Sequence, residues 1–292
     1  MPFESDAPRV TFAAIRAQEQ QPKAPFLKTD LPDGAPWMTF HKLDDGYLVR
    51  IINYADFKIA NSGSEVVVHA APGASKHTVE HLYQNQALPL ALSLKKKLVM
   101  HGSAVEIEDG AVAFLAQSGH GKSTLAASFS SNGFPFLTDD GLQIDLVADE
   151  YVVRSSHPSI RLWDDSRVAL TQIESSSEPP VDYSNKAQFL AGDQFRFCTE
   201  NRPLRYVYFL GDGSSAGIEI IPVSGKDSII EMIRHCFLLG VDEHEMLAHN
   251  LNQLARLSRL PIFFRLDYPR CYDILSQVRD AVVKHSQVGV IP

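Results

Sequence analysis

The sequence of 292 residues is poor in cysteine and has no excess of positive charge. Its three cysteines, Cys198, Cys236 and Cys271, are too far apart for local metal-ligand spacing. An odd and sparse set of cysteines is typical of a reducing compartment rather than of a disulfide framework. Asp plus Glu number 35 against 27 for Lys plus Arg, and the net charge of -8 gives no electrostatic basis for binding nucleic acid or an anionic membrane. We therefore expect neither a nucleic-acid nor a membrane partner.

Long apolar runs are also missing. No run approaches the roughly 20 residues that a membrane-spanning helix needs, and the amino end has no charged segment followed by an apolar one of the kind that directs secretion. The 45% of apolar residues is nevertheless enough to bury a large core, in one composite domain or in two closely joined ones. We expect a cytoplasmic protein.

The first 36 residues differ in composition from the rest of the chain. They contain six prolines among many polar residues, a composition that rarely folds alone and that predicts a flexible arm over residues 1–36. Apolar residues at helical spacing over residues 10–16 predict a short amphipathic helix, with which the arm would dock or bind a partner.

Two larger parts follow the arm. Residues 37–97 alternate short β-prone runs with turn residues, and then offer Thr78 as the cap of one helix and Pro89 as the start of a second. They predict a β-rich portion with helices. Residues 98–292 predict a longer domain that begins with two strands joined at the dipeptide Asp109-Gly110, which suits a tight hairpin.

A glycine-rich loop follows the second of these strands. Residues 116–123 read AQSGHGKS and match the phosphate-loop (P-loop) spacing G-x-x-x-x-G-K-[ST], except that Ala116 takes the place of the first glycine. A helix is predicted directly after the loop, ended by Gly133 in the left-handed conformation. A chance glycine turn is the alternative, but the order of strand, loop and helix favours a phosphate site.

The loop predicts a nucleotide site because its backbone N–H groups and the amino end of the next helix face one anion. Lys122 would contact the β- and γ-phosphates of ATP, and the Ser123 hydroxyl would bind Mg²⁺. The residues predicted to bind the nucleotide are Ser118, Gly119, His120, Gly121, Lys122, Ser123 and Thr124.

Two carboxylates follow at the end of the next predicted strand, in the run Thr138-Asp139-Asp140-Gly141. Asp-Gly is also a turn signal, so a purely structural role is the alternative. We expect both carboxylates at the sheet edge that carries the loop, where one can bind Mg²⁺ and the other can take a proton from an attacking hydroxyl. His101 would lie opposite the start of the loop once the hairpin forms, and would touch phosphate or orient an aspartate.

Taken together, His101-Gly102, the run SGHGKS, Gly133 and Asp139-Asp140 resemble the kinase domain of the HPr kinase/phosphorylase family. The resemblance implies an α/β fold with a P-loop kinase core of the HPr kinase and phosphoenolpyruvate carboxykinase type, preceded by the β-rich portion. It implies transfer of phosphate from ATP, with Mg²⁺, to a protein serine. It also implies that Asp139 is the general base, that Asp140 and Ser123 lie near the metal, and that His101 and Lys122 belong to the catalytic centre.

The chain departs from that family in two places. The glycine-rich element of the bifunctional enzymes has no good counterpart at residues 156–163, so phosphorylase activity is not expected. The amino-terminal half, with residues 88–94, 100–105 and 260–270, instead resembles the HPr-kinase-related enzymes of lasso-peptide biosynthesis. That resemblance implies phosphorylation of the C-terminal serine of a precursor peptide. Separately, Arg161 and Lys186 are further candidates for contacts to the γ-phosphate or the acceptor, and the alternative for each is a surface cation without such a role.

Several alternatives stay open on the sequence alone. The acceptor could be HPr or a small-molecule hydroxyl, and the P-loop could serve a regulator that senses ATP without catalysis. The sequence does not indicate whether the chain forms a homo-oligomer.

Overall fold

The computed structural model describes residues 7–21, 23–31, 34–170, 181–184, 186–192, 194–240 and 243–288. The chain is a mixed α/β protein that divides into two compact units. One unit comprises Met1–Lys97, Val181–Ser184 and Phe237–Leu247, and the other comprises Leu98–Pro180, Asn185–Cys236 and Ala248–Pro292. The serine-rich run at residues 174–180 lies outside the described residues.

The first unit contains a six-stranded sheet. Its strands are β1 (Arg9–Phe12), β2 (Leu27–Asp30), β3 (Pro36–Lys42), β4 (Gly46–Ile51), β5 (Ala55–Ala60) and β6 (Glu65–Ala70). They lie in the order β1-β6-β5-β4-β3-β2, with β1 parallel to β6 and every other neighbouring pair antiparallel. The proline-rich segment at residues 1–36 therefore supplies both edge strands.

The helix predicted over residues 10–16 is wrong. Residues Arg9–Phe12 form β1 instead and pair with β6 in a register that places Arg9 opposite Glu65. Four residues at helical spacing are a weak signal, because backbone pairing with an existing sheet edge satisfies more hydrogen bonds than one isolated helical turn.

Two short helices cover the sheet of the first unit. They are α1 (Lys76–Leu82) and α2 (Leu88–Leu94), joined by a π-helical turn at Tyr83–Ala87. Pro89 lies in the first turn of α2, as predicted. The cap predicted at Thr78 is wrong, because Ser75 is extended and its hydroxyl accepts a hydrogen bond from the Thr78 backbone N–H at 3.2 Å.

The second unit is larger and contains the loop and both aspartates. Its strands are β7 (Leu98–Ile107), β8 (Gly110–Leu115), β9 (Phe136–Thr138), β10 (Gly141–Val147), β11 (Glu150–Val153), β12 (Ser159–Leu162), β13 (Ala187–Leu190), β14 (Arg202–Leu210), β15 (Glu219–Pro222) and β16 (Phe263–Asp267). Its helices are α3 (Lys122–Ser130), α4 (Asp164–Leu170), α5 (Gly225–His235), the part of α6 (His244–Leu257) from Ala248 onward, and α7 (Leu275–Val288), and a 3-10 turn spans Tyr272–Ile274.

The main sheet of this unit has the strand order β11-β10-β7-β8-β14-β16-β15, and β9 pairs with β7. Strands β8, β14 and β16 are parallel, whereas β7 is antiparallel to β8, β9 and β10. Strands β12 and β13 form a separate antiparallel pair. The carboxyl ends of three parallel strands therefore meet at one edge, which is where open α/β sheets bind their ligands.

The main sheet is buried on both faces. Successive residues of β8 alternate between two hydrophobic clusters, with Phe114 in one and Leu115 in the other. The first cluster includes Leu125 of α3 and Val278 of α7, and the second includes Met232 of α5. Among the described residues, no helix is long and apolar enough to cross a membrane.

The turn of the predicted hairpin lies one residue earlier than the sequence indicates. In the β7-β8 hairpin the left-handed residues are Glu108, with φ 49°, and Asp109, with φ 60°, rather than Asp109 and Gly110. Gly110 pairs with Ile107 in the ladder. Helix α5 is capped by Ser224, whose hydroxyl accepts a hydrogen bond from the Asp227 N–H at 3.2 Å.

Candidate functional site

A cavity of about 460 Å³ is lined by residues that follow the carboxyl ends of β8, β14 and β16. Its lining residues are His101, Ser118, Gly119, His120, Gly121, Lys122, Ser123, Thr124, Asp140, Arg161, Trp163, Asp165, Ser166, Lys186, Asp212, Tyr268, Arg270, Cys271, Tyr272 and Leu275. All seven residues predicted to bind the nucleotide are among them.

The loop between β8 and α3 lines this cavity. Gly119 and Gly121 both have φ +85°, a left-handed conformation that glycine adopts without strain. A Cβ on Gly119 would meet nothing within 4 Å, and one on Gly121 would lie 3.9 Å from the Tyr268 hydroxyl, so backbone conformation rather than space requires glycine. No side chain caps the amino end of α3, and a helix amino end attracts anions through its N–H groups and dipole.

Lys122 begins α3 and is only 4% exposed. Its amine donates hydrogen bonds to the carbonyl oxygens of Ala116, at 2.8 Å, and Gln117, at 3.2 Å. Burial lowers the pKa of Lys122 to about 8, against the opposing effect of Asp140 and Asp139. The amine therefore lies against the loop backbone, and a bound anion there would favour its protonated form.

Asp139 is held by three hydrogen bonds from separate elements. Its Oδ1 accepts from the Ser103 hydroxyl of β7 at 2.6 Å and from the Ser123 hydroxyl of α3 at 2.9 Å, and its Oδ2 accepts from the Arg161 N–H of β12 at 3.4 Å. Burial and then the neighbouring Asp140 raise the pKa of Asp139, against the lowering effect of the two serines.

Asp140 lies in the turn between β9 and β10 and lines the cavity. It has φ +70°, and the following Gly141 pairs with His101 in the β7-β10 ladder. This register brings His101 Nδ1 to 3.9 Å from Asp140 Oδ1. Burial lowers the pKa of His101, although Asp140 opposes that effect. The Asp-Gly sequence thus serves as a turn and also delivers a carboxylate to the cavity.

The pair of strands β12 and β13 carries a second group of cavity residues. Arg161 lies in β12 and is 8% exposed, Trp163 directly follows β12, and Lys186 directly precedes β13. The amine of Lys186 lies 5.2 Å from the centroid of the Trp163 ring, within range of a cation–π interaction. Both cations proposed from the sequence are therefore at the cavity, next to an indole that is 46% exposed.

Cavity residues that the sequence did not reveal follow β14 and β16. Asp212 lies two residues after β14, and Tyr268 and Arg270 lie just after β16. The Arg270 guanidinium lies 4.3 Å from the centroid of the Tyr268 ring and donates a hydrogen bond to the Gly211 carbonyl at 2.6 Å. Assignment of β14 and β16 as strands parallel to β8 in the same sheet would have indicated these positions, because parallel strands end at the same edge.

A chain of hydroxyl groups links α3 to the far wall of the cavity. Thr124 Oγ1 lies 3.0 Å from Ser166 Oγ, which lies 3.1 Å from the Tyr272 hydroxyl. Ser166 and Tyr272, like Trp163 and Ser103, were not identified from the sequence. Ser103 could have been suspected, because it lies two residues after His101 and so faces the same side of β7.

The predicted metal residues fit Mg²⁺ as part of a nucleotide complex. The described residues contain no cluster of three or more His, Cys, Asp or Glu side chains arranged to hold a metal ion. Mg²⁺ in nucleotide sites needs only one or two carboxylates because phosphates and waters complete its shell. Ser123 already has its hydroxyl bonded to Asp139, an arrangement of P-loop hydroxyl and carboxylate that suits this ion.

Comparisons with known proteins find similarity among solved structures. No protein-family model matches the chain, and no curated protein does. Among solved structures, the chain is similar to the Hpr(Ser) kinase/phosphatase from Coxiella burnetii, with 11% sequence identity and a TM-score of 0.28 over 55% of this chain and 97% of that chain. At this identity and TM-score, the similarity by itself assigns no function.

Proposed function

We propose that this chain is a cytoplasmic P-loop kinase, with a core of the HPr kinase type, that transfers the γ-phosphate of ATP to a serine hydroxyl of a peptide. The observation that carries the proposal is the arrangement at one cavity of a glycine loop, a buried lysine and two adjacent carboxylates. Lys122 and Asp140 line the cavity, and Asp139 is hydrogen-bonded to the loop residue Ser123.

Nucleotide binding follows from the loop geometry. The N–H groups of residues 118–124 surround the phosphates, and Lys122 exchanges the carbonyls of Ala116 and Gln117 for β- and γ-phosphate oxygens. When bound, Mg²⁺ would neutralise phosphate charge, and Ser123 with one aspartate would hold it. The adjacent aspartates favour catalysis over ATP sensing, because sensing needs no second carboxylate at the phosphates.

Phosphoryl transfer depends mainly on positioning and charge neutralisation. The acceptor oxygen forms a bond to the γ-phosphorus while the bond to the bridging oxygen breaks and its electron pair leaves with ADP. The acceptor proton passes to a carboxylate oxygen of the aspartate pair, and the cations Lys122, Arg161 and Lys186 offset the charge on the transferred group.

The C-terminal serine of a lasso precursor peptide is the proposed acceptor. The resemblance of residues 88–94, 100–105 and 260–270 to the lasso-peptide kinases supports this choice. The cavity is compatible with it, since Arg161, Lys186 and Arg270 provide positive charge where a terminal carboxylate would lie.

Mass spectrometry after incubation with Mg-ATP tests the acceptor. A precursor peptide should gain one phosphate group, about 80 Da, at its C-terminal serine. The same peptide with that serine replaced by alanine should gain no mass. HPr and small-molecule alcohols are the comparison acceptors, and Lys122→Ala is the inactive control. Phosphate on HPr alone would refute the peptide assignment, and tight ATP binding without transfer to any acceptor would refute kinase activity.

A further inference from the structure

The residues that line the cavity come from both sides of β8, the strand that leads into the phosphate loop. In the order β7-β8-β14-β16, His101 lies on β7, to one side of the loop. Asp212 follows β14 and Tyr268 follows β16, to the other side. A nucleotide held by the loop therefore has its γ-phosphate toward one side and its nucleoside toward the other.

The first residues of α3 indicate which end lies on which side. The Ser123 hydroxyl donates to Asp139, which belongs to the turn beside β7. Thr124 Oγ1 lies 3.0 Å from Ser166 Oγ, which lies 3.1 Å from the hydroxyl of Tyr272, a residue that follows β16. Since the metal and the γ-phosphate belong with the P-loop hydroxyl and its carboxylate, the nucleoside lies over the ends of β14 and β16.

Asp212 is the carboxylate on this side, and its charge suits a sugar rather than a phosphate. The Ser214 hydroxyl and N–H lower the pKa of Asp212, so the group is ionised at neutral pH. A carboxylate next to the triphosphate would oppose its binding. A ribose is uncharged and offers two hydroxyl donors, and dinucleotide-binding folds likewise place a carboxylate on a ribose hydroxyl.

The backbone on both sides of Asp212 is held by residues at the end of β16. Asp267 Oδ1 accepts a hydrogen bond from the Gly213 N–H at 2.8 Å, and Arg270 donates one to the Gly211 carbonyl at 2.6 Å. A Cβ on Gly211 would lie 2.4 Å from Asp267 Cγ, and one on Gly213, which has φ +87°, would lie 2.5 Å from Arg270 Cγ. The loop is therefore closely fitted around Asp212.

The Asp212 carboxylate also has room for further donors. Its Oδ1 accepts from the Ser214 N–H at 3.1 Å, and the Ser214 hydroxyl is a second donor to the carboxylate. An ionised carboxylate has about four acceptor positions. Two positions are thus left for two hydroxyl groups in the cavity that Asp212 lines.

We propose that the ribose of the nucleotide lies at the carboxyl end of β14, where the Asp212 carboxylate accepts hydrogen bonds from its 2′- and 3′-hydroxyls. Asp212 then determines specificity for ribonucleotides over deoxyribonucleotides, and Asp267 and Arg270 are positioning residues for its loop. This inference rests on the proposed kinase function and goes beyond it, because the phosphate loop itself does not distinguish one sugar from another.

Binding of nucleotides that lack one hydroxyl tests the assignment. Titration calorimetry with Mg²⁺ compares ATP, 2′-deoxy-ATP and 3′-deoxy-ATP, and the wild-type protein should bind ATP about 10-fold or more tightly than either deoxy nucleotide, as loss of a hydrogen bond to a charged group predicts. Asp212→Ala should weaken ATP binding by about 10- to 100-fold and bind all three nucleotides equally. Asp212→Asn, which keeps one acceptor oxygen, should show an intermediate preference for ATP.

Two matched controls separate the sugar contact from charge and from loop strain. Asp164→Ala removes an exposed carboxylate next to the lining residue Asp165, so its effect on charge should be equal for all three nucleotides and the preference should remain. Gly213→Ala strains the loop and should reduce the preference as Asp212→Ala does. Gly217→Ala, where the added Cβ meets nothing within 4 Å, should keep it.

Each further outcome bears on one of the two proposals. Equal binding of ATP and the deoxy nucleotides by the wild-type protein, or a preference for ATP that survives Asp212→Ala, overturns the ribose assignment. A loss in Asp212→Ala that is the same for all three nucleotides also overturns it, since the carboxylate would then act on the base or the phosphates. Failure of the wild-type protein to bind any of the three overturns the proposed function itself. Melting curves show which variants fold, and Asp212→Asn gives the comparison where Asp212→Ala does not fold.

Discussion

Nucleotide affinity should fall as the pH rises above 8, because Lys122 loses its proton in the ligand-free protein. Burial lowers the pKa of Lys122 to about 8 in the site as it stands. A polyphosphate next to the amine favours the charged form, so the pKa rises on binding and the complex takes up a proton. The affinity contributed by the ammonium is therefore fully present below about pH 8 and is lost as the pH rises toward the pKa of the complex.

The magnitude follows from the shift. One pKa unit corresponds to about 1.36 kcal/mol, or tenfold in binding. With a free-state pKa of about 8, the dissociation constant should increase by roughly 10- to 30-fold between pH 7.5 and 9.5. Titration calorimetry at pH 8.5, in two buffers of different ionisation enthalpy, should show uptake of about three quarters of a proton on binding.

Two other titratable groups at the cavity keep their charge state in this window. Burial lowers the pKa of His101, so its ring is neutral there, and burial raises the pKa of Tyr268, so its hydroxyl keeps its proton. Lys122→Arg keeps its charge throughout and should bind with no such pH dependence. Equal affinity of the wild-type protein at pH 7.5 and 9.5, with no proton uptake, would refute the role of Lys122 at the phosphates.

Two further predictions concern the loop and the first unit. Gly121→Ala should weaken nucleotide binding, since a left-handed φ costs a residue with a side chain about 1–2 kcal/mol. Gly217→Ala, where the added Cβ enters open space, should leave binding unchanged, and parallel ATP titrations compare the two variants. Asp56→Ala should lower the free energy of unfolding by about 3–5 kcal/mol in urea denaturation, because it leaves the mostly buried Arg50 without the carboxylate that accepts at 2.7 and 2.8 Å. Asp45→Ala, at an exposed ion pair, should leave the midpoint unchanged, and equal losses for both would contradict the burial argument.

Local chemistry accounts for the parts of the site that could be predicted. The positive φ of Gly119, Gly121 and Gly133, and the start of α3 at Lys122, follow from short-range rules that need no knowledge of the fold. The expected hairpin likewise forms and sets Leu115, at the start of the loop, opposite Gly102, the residue after His101.

The errors come where two local choices are nearly equal. Ser75 and Thr78 both carry a hydroxyl suited to a helix cap, and the sequence does not show that Thr78 is buried while Ser75 is extended. Glu108 and Asp109, rather than Asp109 and Gly110, take the left-handed positions of the hairpin. In the hairpin, one residue of register separates the two possible turns, and packing of the flanking strands decides which one forms.

The rest of the cavity depends on contacts between distant segments. Asp212 and Arg270 are 58 residues apart by number, and they meet because β14 and β16 are parallel neighbours that end at the same edge. Asp212 belongs to no motif, and Arg270 ends a segment that carries the resemblance but gives Arg270 no role, so the strand order is needed to bring the two together. Trp163 directly follows β12, whose pairing with β13 joins two segments that are distant in the sequence.

Strand β7 explains why the two aspartates can be told apart by structure and not by sequence. His101 and Ser103 are two residues apart, so their side chains leave the same face of the strand. The first approaches Asp140 and the second bonds Asp139, while β9 and β10 pair on the same strand and bring the Asp139-Asp140 turn to it. Because Asp140 has a left-handed backbone, the two adjacent carboxylates are turned to different surroundings, one bonded to the loop serine and one lining the cavity. One face of one strand therefore positions both carboxylates, through a different side chain for each.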